Sequence, residues 1–246
     1  MRKIEFFSTI PGVAEAFPII EAKNFKPDWT KSAIKDLVDK KSKSTNNDTG
    51  RFTHLAYCPG IFDLFKTGYI VPMWYDINIK TQKNTPGFSW TMADKSFGSL
   101  SDIKFIDTHS DIITDFIPKR KGTIDNIVKI NTPWNVIVPD GVKFICLPIS
   151  YPDNFDYEST TGILDPSQSS EINIQMNWNV EDGERMIKAG TPLMHVIPLS
   201  EETFNLEVRT ANEKDLQWVK ISKYTKTFSF STTRHIAQKL YKRFFR

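Results

Sequence analysis

The chain is poor in the residues that build metal and redox centres. Its 246 residues include only two cysteines and four histidines. Cys58 and Cys146 form no Cys-Xaa-Xaa-Cys pair and no Cys/His ligand spacing, so a zinc module and a disulfide framework are both excluded as organising principles. Both are expected to be buried thiols in a reducing compartment. No uncharged apolar run approaches the roughly 20 residues a helix needs to span a bilayer. The start, "MRKIEFFSTIPG", is basic but lacks the apolar core of a signal peptide, so no leader and no membrane association are expected. A formal net charge of +3 does not by itself call for nucleic acid, and no nucleic-acid partner is expected.

Aromatic residues are plentiful. They make up 13% of the chain, with 18 Phe and 6 Trp, which favours strands around a substantial core over a helical bundle. "PDWTKSAIKDLVDKKSK" reads as a helix opened by Pro27, with Trp29, Ile34 and Leu37 approximating an apolar face. A short helix is expected around Ile61–Phe65, ended by Gly68. "YIVPMWYDINIK" reads as one strand, with Tyr75, Ile77 and Ile79 on one side. Further strands are expected in "GFSWTMAD" and "SDIKFID". From residue 126 strands follow closely: "NIVKI", "WNVIVP", "VKFICLP", "EINIQMNW", "RMIKAG" and "PLMHVIPL". The tail, "STTRHIAQKLYKRFFR", returns to helix, with Ile236, Leu240 and Phe244 at helical spacing. The expectation is a single mainly β domain, a barrel or β-sandwich with flanking N- and C-terminal helices. Residues 1–69 form an N-terminal elaboration, 70–209 the β core and 210–246 a C-terminal helical segment.

Residues 132–199 contain Pro139-Asp140-Gly141, then Gly162-Ile163-Leu164-Asp165 leading to Glu171, then Gly190–Val196. This order resembles the carboxyl-terminal half of the dUTPase and dCTP-deaminase superfamily. The resemblance implies a dUTPase-like barrel, a trimer, and Asp165 as the general base that activates water in a magnesium–nucleotide site. Several family positions differ. Gln168 stands where a tyrosine would stack on deoxyribose, and Ser170 where a glycine would admit the ligand. Ile149-Ser150-Tyr151-Pro152 replaces the phosphate-binding arginine element, and Pro192-Leu193-Met194-His195 the closing Arg-Ile-Ala-Gln. Without that arginine a triphosphate lacks its bidentate partner.

The chain as a whole, including "CPGIFDLFKTGYIVPMWYDINIK" and "TPWNVIVPDGVKFICLPI", also resembles a set of uncharacterised proteins carried by tailed phages of marine bacteria. That resemblance implies a host-cytoplasmic or virion location. It also implies an accessory or virion-associated role in binding and assembly, as a homo-oligomer or with a phage or host protein partner, needing no cofactor.

Two further patterns carry chemistry. His109-Ser110-Asp111, with His195 downstream, has the order of a two-histidine, one-carboxylate iron(II) triad. In that reading 2-oxoglutarate is the cosubstrate and Arg209 its carboxylate partner; the bland alternative is a loop histidine and a core histidine. In the tail, Arg234, Lys239, Lys242, Arg243 and Arg246 interleave with aromatic residues, a composition suited to a partner contact or to a solvated helix face. The strand "EINIQMNW" alternates Ile172, Ile174, Met176 and Trp178 with Glu171, Asn173, Gln175 and Asn177. A row of amides instead of free charges points to a sheltered polar face.

Overall fold

A computed structural model describes residues 2–43, 58–85, 87–92, 104–109, 116–226 and 230–245. Among these the chain is mainly β, with three sheets and a small number of helices, and no closed barrel is seen. The six-stranded sheet runs β14 (Asn205–Thr210), β1 (Lys3–Ser8), β7 (Val128–Ile137), β11 (Glu171–Trp178), β9 (Tyr157–Ser159), with β6 (Ile106–Thr108) also on β7. The five-stranded sheet runs β10 (Gly162–Leu164), β8 (Phe144–Leu147), β13 (Pro192–Pro198), β3 (Tyr69–Pro72), β2 (Ile20–Glu21). A third sheet joins β12 (Gly183–Ile187), β4 (Ile77–Thr81) and β5 (Ser89–Met92). The helices are α1 (Val13–Ala16), α2 (Asp28–Lys43), α3 (Pro59–Leu64), α4 (Glu213–Lys226) and α5 (Phe230–Phe245).

Side-chain alternation explains how the layers meet. Along β1, Ile4 and Phe6 enter the core shared with the five-stranded sheet, where Phe6 meets Tyr69 at 5.3 Å and Phe144 at 6.2 Å between ring centroids. Phe7 points the other way, beneath the Arg209 guanidinium at 5.4 Å. β11 behaves as its sequence predicts: Ile172, Ile174, Met176 and Trp178 are buried, and the four intervening polar residues are half-buried.

β7 is one ten-residue strand, not the two short ones its sequence suggests, and it runs through Pro133. Proline cannot donate to a ladder, so it fits where pairing is interrupted. Here β6 pairs with residues 128–130 and β1 with residues 134–137, and Pro133 lies in the gap between the two partners. The opposite correction applies to "YIVPMWYDINIK". It divides into β3 and β4, which belong to different sheets. Pro72 closes β3, and residues 73–76 are tied instead to the loop before β13, through Gly190 N–H to the Met73 carbonyl (2.7 Å) and Ala189 N–H to Asp76 Oδ1 (2.7 Å).

The C-terminal helices pack on the outer face of the six-stranded sheet. Asn212 and Asp215 cap α4 reciprocally: each side chain accepts the other's backbone N–H, at 3.0 and 2.8 Å. Asp215 and Glu5 also receive the Arg209 guanidinium, which fastens the helix start to β1 and β14. Burial pushes the Glu5 carboxyl up, but hydrogen bonds from Lys3 and Arg209 outweigh it and hold Glu5 below the usual range. Trp218 of α4 is fully buried against Tyr241, Phe244 and Phe245 of α5. Ile236, expected on the apolar face of α5, is half exposed; Ala237 and Tyr241 are the residues turned inward. Ile34 and Val38 of α2 are likewise exposed. Cys146 is buried, with its thiol pushed up to about 11 by burial, whereas Cys58 is exposed, contrary to the sequence expectation. Neither forms a disulfide.

Candidate functional site

Two of the concave regions among the described residues bear on the sequence readings. The first is a cleft of about 390 Å³ beneath the loop that joins β8 to β9. That loop, "YPDNFDY", sets three aromatic residues among one proline, two acids and an amide. Tyr151 is more than half exposed and adopts a left-handed backbone, φ 53°. This conformation is uncommon for a bulky side chain and costs about 1 kcal/mol or more. It is held from below: Trp29 Nε1–H donates to the Tyr151 carbonyl at 3.1 Å, and the two rings meet edge-on at 5.7 Å. Trp29 rests in turn on Phe62 and Phe65, so the first turn of α2 and helix α3 prop the loop.

Phe155 is 62% exposed and carries Arg120 over its ring at 5.8 Å; the same guanidinium pairs with Glu158 at 2.9 Å. Tyr157 stacks on Trp178 at 5.8 Å with 8° between planes, and burial pushes its phenol up to about 12. The cleft therefore offers ring faces, one guanidinium and two carboxylates, Asp153 and Glu158. It suits recognition of a bound surface. Sequence reasoning missed Arg120, Phe155 and Trp29; the signal was the aromatic and acidic alternation of residues 151–157.

The second region, about 420 Å³, is bordered by Asp165, Lys143, Asp140, Tyr241 and Lys242. Asp165 Oδ1 accepts the Ser167 N–H (3.1 Å) and hydroxyl (2.5 Å). Oδ2 accepts from Gln168 Nε2 (2.5 Å) and faces Lys143 Nζ at 3.3 Å. Its carbonyl receives the N–H groups of Gln168 and Ser169. The carboxylate thus closes the turn into β11, as a short acceptor before Pro166 can. Burial pushes the Asp165 carboxyl up, but the bonds from Ser167, Gln168 and Lys143 win and hold it below the usual range. It is a weakly basic carboxylate whose oxygens are engaged. Neither Arg185 nor Arg209 borders it; Arg185 pairs with Asp156 at 3.0 Å, and Arg209 with Glu5 and Asp215.

His195 lies in β13, 1% exposed, with Nε2 at 2.6 Å from the Thr67 carbonyl. Burial lowers its pKa, and the Thr67 contact offsets that only in part. His109 lies at the end of β6 in the other large sheet, its N–H donating to the Ile127 carbonyl at 3.1 Å. Asp111 lies outside the described residues, and among the described residues no group of three His, Cys, Asp or Glu could hold a metal ion.

On α5, Lys239, Lys242 and Arg243 are exposed, and Lys242 reaches Asp140 at 3.7 Å. The side chain of Arg234, and all of Arg246, lie outside the described residues. Among the described residues no helix is long and apolar enough to cross a membrane. A comparison with known protein families finds no match, and neither does one with curated proteins.

Proposed function

We propose that the chain is a phage accessory or virion-associated protein that binds and assembles, on a scaffold related to dUTPases but without their hydrolase motifs. The observation that carries this reading is the 148–159 loop. Where the resemblance calls for a phosphate-binding arginine element, the chain instead presents the exposed rings of Tyr151 and Phe155, propped by Trp29. Exposed aromatic anchors in a concave setting are the usual energetic centres of protein contacts. The phage-like segments support the setting, and the half-buried amide row of β11 suits an oligomer contact.

A second reading, a divergent nucleotide-hydrolysing enzyme with Asp165 as base, is favoured by one observation: Asp165 borders a cavity that two lysines also border. Light scattering of the purified chain across a concentration series, with and without Tyr151→Ser/Phe155→Ser, separates the two. Assembly predicts a multimer, or a partner complex, that the double substitution weakens. A monomer that hydrolyses deoxynucleoside triphosphates with magnesium, and loses this activity in Asp165→Asn, overturns the first reading.

A further inference from the structure

The net charge of +3 conceals a strong asymmetry. Residues 211–246 hold nine of the 32 Lys and Arg but only two of the 29 Asp and Glu, so this segment carries +7 and the remainder −4. The two acids do little to offset it locally, since Asp215 is buried under Arg209 and Glu213 lies in the first turn of α4.

Among the described side chains the fold sorts these charges outward. On α5, His235, Lys239, Lys242 and Arg243 follow the i, i+4, i+7, i+8 spacing of a single helix face, and all four are exposed. On α4, Lys220 and Lys223 are exposed one turn apart. Among the described residues, Lys220, Lys223, Lys239 and Arg243 have no carboxylate partner, and Lys242 has only the 3.7 Å contact to Asp140.

We infer that this helical hairpin is a docking surface for the phosphate backbone of a nucleic-acid duplex. Three observations select that occupant. Tyr241, Phe244 and Phe245 of α5 are packed on Trp218, so among the described side chains of this helix no ring is left for stacking on unpaired bases, the usual device of single-strand binding. The same packing removes the apolar face that an amphipathic helix would insert into a bilayer; among the described side chains of the two helices, only Leu216 and Ile236 are large apolar residues left exposed. A second copy of the chain offers a body whose −4 is spread over 210 residues, whereas a duplex offers one charge per about 1.7 Å of axis. The contact is to backbone alone and does not select sequence. It builds on the reading of the chain as a binding protein, and supplies that reading with a partner.

The test uses the full chain and a labelled 30-base-pair DNA duplex, with an RNA duplex of the same sequence in parallel, titrated by fluorescence anisotropy at 50–200 mM NaCl. Five basic side chains on phosphates predict that log K falls against log salt with a slope of about −4 to −5. Lys239→Glu/Arg243→Glu should weaken binding at least tenfold and cut the slope by about 2, while Lys26→Glu/Lys83→Glu on the β body leaves it unchanged. Equal loss on DNA and RNA supports a shared backbone site; loss on one alone identifies the source of the phosphates. Absence of binding at 50 mM NaCl overturns the inference, as does binding that the hairpin variant retains. So does association with phosphatidylserine vesicles that this variant abolishes while duplexes remain unbound. Light scattering on the same samples keeps the two readings apart: a multimer that ignores duplexes defeats only this inference.

Discussion

Trp218 donates its indole N–H to Ser170 Oγ at 2.8 Å, and Ser170 passes a hydrogen bond to Asn135 Oδ1 at 3.0 Å. This buried relay joins α4 to the start of β11 and the middle of β7, and all three residues are at most 2% exposed. Trp218→Ala removes both the ring at the centre of the hairpin and the donor to Ser170, so a loss of about 3–5 kcal/mol is expected. Trp218→Phe keeps most of the packing and the Ser170–Asn135 bond but removes the donor to the Ser170 oxygen, at about 1–2 kcal/mol. Urea unfolding followed by fluorescence checks both values. A neutral Trp218→Phe would mean that the hydrogen bond contributes nothing, and equal effects that the ring packing adds nothing to it.

Gly68 should tolerate no side chain. It has φ 81°, and a Cβ there would lie 2.3 Å from the Val196 carbonyl oxygen, a backbone atom that cannot swing aside. Gly68→Ala therefore has to separate β3 from β13, and the expected outcome is loss of soluble protein. Gly141→Ala is the control: φ is 80° but nothing lies within 4 Å, so only the conformational cost of about 1–2 kcal/mol applies. Soluble yield and melting temperature of the pair give the answer.

His195 makes stability acid-sensitive. Its folded pKa lies below the ordinary 6.5, because burial disfavours the charged ring. The folded state binds fewer protons than the unfolded one, so His195 has no effect above pH 6.5 and destabilises progressively as pH falls from 6.5 through the folded pKa. His195→Gln retains a donor for Thr67 and should flatten this part of the profile. Thermal melts between pH 7.5 and 5 would show it; a wild-type profile as flat as the variant's would contradict the assignment.

Asp165 acts at lower pH. Its folded pKa is depressed, so its contribution is present above the ordinary 3.8 and is lost as pH falls through the folded value. Asp165→Asn should cost about 1–2 kcal/mol at neutral pH through the weakened Ser167 and Lys143 contacts. It should also remove stability changes in that acid window. Denaturant midpoints at pH 7 and pH 3 measure the difference.

The sequence was most legible where one side of a strand is buried and the other is not. β11 shows this residue by residue, whereas the turn role of Asp165 is seen in its hydrogen bonds. Legibility failed where the pattern is continuous. β1 is buried along nearly its whole length, between a parallel and an antiparallel neighbour, so "IEFFS" showed no alternation. It failed again at prolines, because Pro133 interrupts pairing without ending a strand whereas Pro72 ends one, and only the neighbours decide which. The aromatic cleft was hidden because its supports, Trp29, Phe62, Arg120 and Tyr151, come from distant parts of the chain and meet only in the fold.

The parallel pairing of β1 with β14 sets the order of events during synthesis. Lys3 lies beside Asn205 and Ser8 beside Thr210, so β1 must wait for the much later β14 before this edge is covered. Until then an apolar strand stands unpaired on one side, at risk of pairing with another nascent chain. Such long-range closure places this fold among the slow folders. Truncation before residue 210 should then be felt first at the amino terminus.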